Sequence, residues 1–291
     1  MDKSNITLAG AIRKGMALLK ENGIENADID SFELMAGING MDRTYYFMHG
    51  QDILEQSVYE RFLENIRKRA RHIPLQHILG KAFFYGYEFK VNEAVLVPRP
   101  DTEILVEQAL GVVSDESTVI DMCTGSGCIL ITLALQKHIK KGIAADISEK
   151  ALEVAKYNAD NLKAENIEFV QGNLFEALDK NKAGKPVCDS ADIIVSNPPY
   201  IPTDVISTLS EEVRVHDPYI ALDGKEDGLY FYREITKNSV KYLKKDGWLM
   251  YEIGYDQAAA VTDILKAAQF TDIKTVKDLA GLDRVVRARK L

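Results

Sequence analysis

Cysteine is scarce and falls in no pairing pattern. Cys123, Cys128 and Cys188 are the three in 291 residues. None forms a Cys-x-x-Cys, so neither a disulfide framework nor a zinc ribbon organises the chain. Five histidines are scattered without a His-x-x-x-His spacing. Free thiols and no metal are the expectation. No apolar run approaches the roughly 20 residues that cross a bilayer. The opening residues show no charged, apolar and small leader, and a cytoplasmic location is expected. Positive charge is in deficit, with 36 Lys+Arg against 44 Asp+Glu and a net charge of −8. Residues 1–75 carry 10 and 11 of these, so the deficit lies in the remainder. An acidic body repels a phosphate backbone, and no stable nucleic-acid or membrane partner is expected. One basic cluster stands against that trend: Arg61, Arg67, Lys68, Arg69 and Arg71. It reads either as a solvated helix face or as a contact for an acidic or RNA-bearing partner.

Apolar residues, by contrast, are ample for a sizeable core, and the length favours two domains. Residues 1–75 read as a helical bundle. Leu8, Ile12, Met16 and Leu19 follow helical spacing, with Gly23 as a stop. A second helix starts near Asp28 or Asp30 and breaks at Gly37 to Gly40. A short helix from Thr44 and a longer one from Ser57 to Ala70 follow, and Pro74 ends the bundle. Residues 76–97 are aromatic and β-rich. Phe83 to Val91 turning at Asn92-Glu93 into Ala94 to Val97 reads as a hairpin linker. Arg99, between two prolines, sits in extended backbone. It serves a structural ion pair or touches a ligand or incoming substrate loop.

From residue 98 onward, helix and strand alternate. Strands are expected near 117–122, 142–146, 166–170, 192–196, 247–253, 271–277 and 283–289. Helices are expected near 102–112, 128–138, 149–162, 227–244 and 256–268. Such alternation predicts a mostly parallel, doubly wound α/β sheet. The last two strands have no helix between them, so one should be antiparallel. Ala177 to Ser190 reads as a mobile polar loop. The long connection from Pro202 to Asp223 reads as a substrate lid.

Two motifs carry chemistry. Asn197-Pro198-Pro199-Tyr200 follows the apolar run from Asp192 to Ser196. The prolines cannot donate to a sheet ladder, so the strand ends there. Asn197 then stands at a strand's carboxyl end, where open α/β sheets bind ligands. Its side-chain carbonyl and the Pro198 main-chain carbonyl make two converging acceptors, which suit one flat –NH2 group. The Tyr200 ring could stack on that group's plane. Asn-Pro and Pro-Pro are also ordinary turn signals. The second motif runs from the strand Ser117 to Met122 into Cys123-Thr124-Gly125-Ser126-Gly127 and then an apolar helix. A dinucleotide fingerprint would need a third glycine at position 130, which is Leu130. The loop better suits a ligand without phosphate. Asp146, ending the next strand, stands where an acid binds ribose hydroxyls. Asp121 could hold the loop or meet an ammonium group. A nucleoside with an amino-acid tail and no phosphate is S-adenosylmethionine.

Together these motifs resemble class I methyltransferases that modify planar amino groups. The likeness extends through Pro74 to Gly80, Phe83 to Val91, Val95 to Glu103, Asp121 to Gly127, Val195 to Ile201, Ala221 to Leu229 and Gly281 to Val285. In combination these segments resemble the HemK/PrmC family from about residue 5 to the end. Members methylate the side-chain amide of the glutamine in the Gly-Gly-Gln loop of class I peptide chain release factors. The resemblance implies a Rossmann-like seven-stranded methyltransferase domain at 98–291, a hairpin linker at 76–97 and an all-α substrate-docking domain at 1–75. It implies that S-adenosylmethionine lies against Asp121, Cys123, Thr124, Gly125, Ser126, Gly127, Asp146, Ile147, Asn173, Leu174 and Asn197. It implies substrate contacts from Arg99, Asn197, Pro198, Pro199 and Tyr200, with Asn197, Pro198 and Tyr200 catalytic. A monomer with a release factor as its protein partner is expected.

Four positions depart from the family pattern. Cys123 stands where glycine is usual, so its side chain must point away from the cofactor or the loop must shift. Asn173 and Leu174 replace an aspartate and a frequent aromatic, and Asp217-Pro218 replaces Glu-Pro. The chemistry expected is positional. An amide nitrogen is a poor nucleophile until its lone pair is withdrawn from the carbonyl, and two fixed acceptors can hold both N–H bonds to that end. Three rivals share part of these motifs: an adenine or cytosine amino methyltransferase on nucleic acid, a ribosomal-protein glutamine methyltransferase, and a non-catalytic cofactor-binding module.

Overall fold

The computed structural model describes residues 6–179 and 190–291. Most of the expected loop from Ala177 to Ser190, with Cys188, lies outside the described residues; its start is a short helix, Glu176–Asp179. By internal contacts the chain divides into two compact units. One comprises residues 1–80 and 210–216, the other 81–209 and 217–291.

The first unit is helical: α1 (Leu8–Glu21), α2 (Ala27–Asn39), α3 (Arg43–His49), α4 (Gln56–Arg69) and α5 (Leu75–Leu79), joined by the short helix Glu211–His216. Thr7 caps α1 by accepting a hydrogen bond from the Gly10 N–H at 3.1 Å. Leu19, Leu34, Met35, Phe62 and Ile66 are fully buried where α1, α2 and α4 meet. Each contributes on the order of 1.5–3 kcal/mol through burial. Gly37 does not break α2, as the sequence had suggested. A Cβ there would stand 2.6 Å from a Leu79 methyl, so its glycine serves close packing, and the helix ends at Gly40 in left-handed backbone. Pro74 likewise opens α5 rather than closing the bundle. Arg69 leaves the basic cluster altogether. It is 8% exposed, and it pairs with Asp30 at 2.6 Å and Glu212 at 2.8 Å while donating to the Ile73 carbonyl. A buried guanidinium with acceptors on three sides is neither a solvated face nor a docking residue.

The second unit opens on a hairpin, β1 (Lys81–Phe84) and β2 (Tyr87–Lys90). Its turn is Tyr85-Gly86, both at positive φ, the geometry that two-residue hairpin loops require. The expected turn at Asn92-Glu93 does not form a second strand, and residues 94–97 carry none. Then come α6 (Thr102–Leu110), β3 (Thr118–Met122), α7 (Cys128–Lys137), β4 (Lys141–Asp146), α8 (Glu149–Leu162), β5 (Ile167–Gln171), α9 (Glu176–Asp179) and β6 (Ala191–Ser196). After the Val205–Thr208 3-10 turn, α10 is the Glu211–His216 helix already placed, and α11 is Tyr219–Leu222. The chain closes with α12 (Tyr230–Tyr242), β7 (Leu243–Glu252), α13 (Ala258–Ala267), β8 (Thr271–Lys277) and β9 (Asp283–Arg289).

Seven strands form one sheet in the order β5-β4-β3-β6-β7-β9-β8. β3, β4, β5, β6 and β7 pair in parallel, and β9 runs antiparallel to both β7 and β8. Strand residues alternate between two buried clusters. Ile120, Ile143, Ile194 and Leu249 feed one, and Val119, Ala144, Ile193 and Met250 feed the other. Helices thus cover both faces of the central strands. The chain order reverses between β3 and β6, which makes their carboxyl ends the topological switch point.

Candidate active site

Both motifs leave the sheet at that switch point. The glycine loop follows β3, and Asn197 follows β6 next to it. A cavity of about 340 Å³ opens there, a size within the range that holds small-molecule ligands. Its wall carries Arg99, Cys123, Thr124, Gly125, Ser126, Asp146, Ile147, Asn173, Leu174, Asn197 and Pro199. Asp121, Gly127, Pro198 and Tyr200 are not on it.

Asp121, Gly127 and Tyr200 sit behind the wall, and Pro198 stands between Asn197 and Pro199, which are on it. Asp121 is fully buried and accepts a hydrogen bond from the Thr124 hydroxyl at 2.6 Å, so it holds the loop. Burial pushes its carboxyl up to about 7 against that hydroxyl's pull, and its Oδ1 has no hydrogen-bond partner among the described residues. Gly127 starts α7 at φ 80°, and a Cβ there would lie 2.7 Å from Ile131 and 3.2 Å from Ala155. Pro198 is buried. The Tyr200 ring packs on the core beside β7, and burial raises its hydroxyl to about 12.

Asp146 organises the front of the loop. Its two oxygens accept from the Gly125 and Ser148 N–H groups, each at 2.9 Å. Each oxygen keeps a lone pair for a ligand hydroxyl. Burial raises its carboxyl despite those bonds. Cys123 holds φ 61°, a left-handed conformation in which glycine would be unstrained. Burial raises its thiol, so it is no nucleophile at neutral pH. Leu174 is left-handed as well, at φ 50°. Arg99 makes the structural ion pair that was one of its two readings. It lines the cavity and pairs with buried Asp217 at 3.0 Å.

Sequence reasoning missed Thr102, which lines the cavity beside Asn197, and the carboxylate next to it. The Asn197 amide nitrogen faces the Thr102 hydroxyl at 3.4 Å. Glu252, 2% exposed at the end of β7, lies against the same pair. Burial pushes the Glu252 carboxyl up to about 7, while the neighbouring Thr102 and Asn197 side chains and the Arg284 charge draw it down; its Oε2 has no hydrogen-bond partner among the described residues. Arg284 is itself held by Asp278 at 3.1 Å and Asp101 at 3.4 Å. The available signal was a lone carboxylate inside the apolar run Leu249 to Ile253. Also missed were residues 94–97, which line the cavity without forming a strand, and Ile220, Ala221, Lys225, Tyr230 and Phe231, which line it too.

The strand order and the paired loops at the switch point define a Rossmann-like methyltransferase domain. A family model described as a methyltransferase domain matches residues 113–275, and one described as the PrmC N-terminal domain matches residues 10–80. Two solved structures share the fold at low identity. A methyltransferase from Pyrococcus furiosus has a TM-score of 0.51 at 14% identity, covering 71% of this chain and 90% of that one. The hMettl16 catalytic domain in complex with the MAT2A 3'UTR hairpin 6 has 0.54 at 16% identity, covering 77% and 81%. Relatives named release factor glutamine methyltransferase are far more similar. That of Bacillus subtilis (strain 168) is 39% identical over 97% of this chain and 97% of its own length. That of Caulobacter vibrioides is 37% identical over 97% and 96%, and that of Fusobacterium nucleatum subsp. nucleatum is 39% identical over 95% and 77%. This chain belongs to the release factor glutamine methyltransferase family. Among the described residues, no helix is long and apolar enough to cross a membrane.

Proposed function

We propose that the chain transfers a methyl group from S-adenosylmethionine to the glutamine side-chain amide in the Gly-Gly-Gln loop of class I release factors. One observation carries the chemical part of this reading. The Asn197 side chain lines the cavity with its amide nitrogen on the Thr102 hydroxyl at 3.4 Å, which leaves its carbonyl oxygen available to accept from a ligand. A fixed carbonyl at a switch point is the acceptor a planar –NH2 group needs.

The residues present fit the cofactor. The open space at the Gly125 Cβ position and the spare lone pairs of Asp146 suit a ribose held close to the backbone. Ile147, Leu174 and Phe231 offer apolar cover for a flat base. When bound, S-adenosylmethionine supplies an electrophilic methyl group on a sulfonium. The chain's own residues then only position. Asn197 and the Pro198 carbonyl accept the two amide N–H bonds and hold them so that the nitrogen lone pair is released from the carbonyl. The N–H groups grow more acidic as the nitrogen gains a substituent. Their acceptors therefore bind the transition state more tightly than the ground state. No strong base is required. Holding a near-attack geometry of this kind is worth several kcal/mol of barrier, up to about 7–11 in well-oriented models.

The reading extends to the helical unit as the docking surface for the body of the factor. Phe47 and Met48 on α3 are 83% and 75% exposed, and recognising a whole protein needs more surface than a tripeptide offers. Action as a monomer in the cytoplasm completes it. The test is methyl transfer from radiolabelled S-adenosylmethionine to three acceptors: a bacterial release factor, the same factor with its loop glutamine changed, and duplex DNA. Label on the first alone supports the reading. Label on DNA, or on both factors alike, overturns it.

A further inference from the structure

The Asn197–Tyr200 turn is pinned from behind by one side chain that no motif marks. Gln257 precedes α13 and is 9% exposed. Its Nε2 donates to the Tyr200 carbonyl at 2.9 Å and to the Gly228 carbonyl at 3.4 Å. Its Oε1 accepts from the Gly254 N–H at 3.0 Å and from the Tyr232 hydroxyl at 3.2 Å. These four bonds use the full capacity of a primary amide, two donors and two acceptor lone pairs. The amide has only one workable orientation. Tyr200 and Gly228 present carbonyl oxygens, which only accept, and Gly254 presents an N–H, which only donates. Flipping the group would set like against like at three contacts.

The surroundings leave the turn no other seat. A Cβ on Gly224 would lie 2.8 Å from the Tyr200 backbone, and one on Gly228 would overlap the Tyr200 carbonyl oxygen. The turn thus lies directly on the Gly224–Gly228 loop, and Gln257 fastens the two to each other. Through Gly254 and Tyr232 it ties both to the end of β7 and to α12. Tyr232 shares its single hydroxyl hydrogen between Gln257 and the Glu252 carbonyl, at 3.1 Å. The chain between Asn197 and Tyr200 is two prolines, which transmit a displacement of the Tyr200 end instead of absorbing it.

We propose that Gln257 is a positioning residue for methyl transfer, fixing the Tyr200 carbonyl so that the Asn197 and Pro198 acceptors meet the substrate amide in register. The inference rests on the function proposed above. Gln257 touches neither the cavity wall nor the glycine loop. Its loss should therefore act on turnover and spare cofactor binding.

The experiment compares wild type, Gln257→Met and Gln257→Glu with a release factor as acceptor. It measures kcat, KM for the factor, and the S-adenosylmethionine Kd by calorimetry across pH 6 to 8. Gln257→Met should lose about tenfold to a hundredfold in kcat, the scale set by misplacing an acceptor by up to about 1 Å, with Kd within about twofold. Gln257→Glu keeps the two acceptor bonds but sets a carboxylate against two carbonyls. Protonation restores one donor, so its kcat relative to wild type should rise as pH falls. Wild-type kcat in Gln257→Met, or a pH-independent ratio for Gln257→Glu, would overturn the inference. So would a loss of cofactor affinity in step with kcat, which marks general damage. Failure of the wild type to methylate the factor is a distinct outcome that removes the underlying function instead.

Discussion

Gly228→Ala places one methyl group where the Asn197–Tyr200 turn meets its support. Two costs follow. Gly228 has φ 72°, and a left-handed alanine costs about 1–2 kcal/mol. The added Cβ would also overlap the Tyr200 carbonyl oxygen and stand 2.8 Å from the Gln257 nitrogen. Backbone cannot rotate away as a side-chain end can, so the turn must move and the Gln257 bonds must stretch, at about 1 kcal/mol each. Stability should fall by about 2–4 kcal/mol in total, and turnover by as much as a hundredfold. Gly281→Ala separates the two costs. Gly281 has φ 83° with nothing within 4 Å of its Cβ position, so it carries the strain without the crowding. Urea unfolding and methyl-transfer kinetics on both variants make the comparison. Gly281→Ala should lose stability and keep kcat, whereas Gly228→Ala should lose both while its S-adenosylmethionine Kd holds. Equal kcat in the two variants would refute the coupling between the Gly224–Gly228 loop and the turn.

Asp121 gives a pH signature. Burial raises its folded-state carboxyl to about 7, above an unfolded value of about 3.9. The folded state therefore binds the proton more tightly, and its contribution favours folding as pH falls from 7 toward 4. Asp121→Asn should flatten that slope by up to about 1.4 kcal/mol per pH unit; an unchanged slope in denaturation at pH 5, 6 and 7 contradicts the assignment. Asp146→Ala removes the carboxylate that orders the Gly125 and Ser148 amides. It should weaken S-adenosylmethionine binding at least about tenfold, the 1.4 kcal/mol scale of one charge-assisted hydrogen bond, and an unaltered Kd counts against it. Phe47→Ser should raise KM for the intact release factor and leave KM for a short Gly-Gly-Gln peptide as it was. A parallel change for both acceptors would remove α3 from the docking surface.

Much of this architecture was readable because local signals agreed with tertiary ones. β8 and β9 match their expected bounds residue for residue, and so does α8, where Ser148 caps the helix by accepting from the Ala151 N–H at 3.2 Å. The antiparallel final strand was legible from the absence of a helix between residues 278 and 282. Misreadings came where packing decided. Gly37 looked like a breaker because the methyl it leaves room for belongs to a residue 42 positions on. The hairpin turned at Tyr85, since an aromatic at positive φ gives no sequence cue. β7 starts at Leu243, ahead of its expected start, because an irregular register between Ala191 and Ile193 absorbs the Lys244 to Gly247 stretch. At the site, the glycine loop, Asp146 and Asn197, which line the cavity, were legible from motif spacing. Thr102, Glu252 and Gln257 were not, since none belongs to either motif and each sits in its own element's ordinary composition.

The proposed chemistry depends above all on Asn197 holding the glutamine amide for transfer. Its most direct test is single-turnover methylation of a release factor by Asn197→Ala with S-adenosylmethionine saturating, the Gly-Gly-Gln peptide being read by mass spectrometry. Asn197→Ala should lose nearly all methylated glutamine while calorimetry shows the cofactor bound. Methylation at close to the wild-type rate would contradict it.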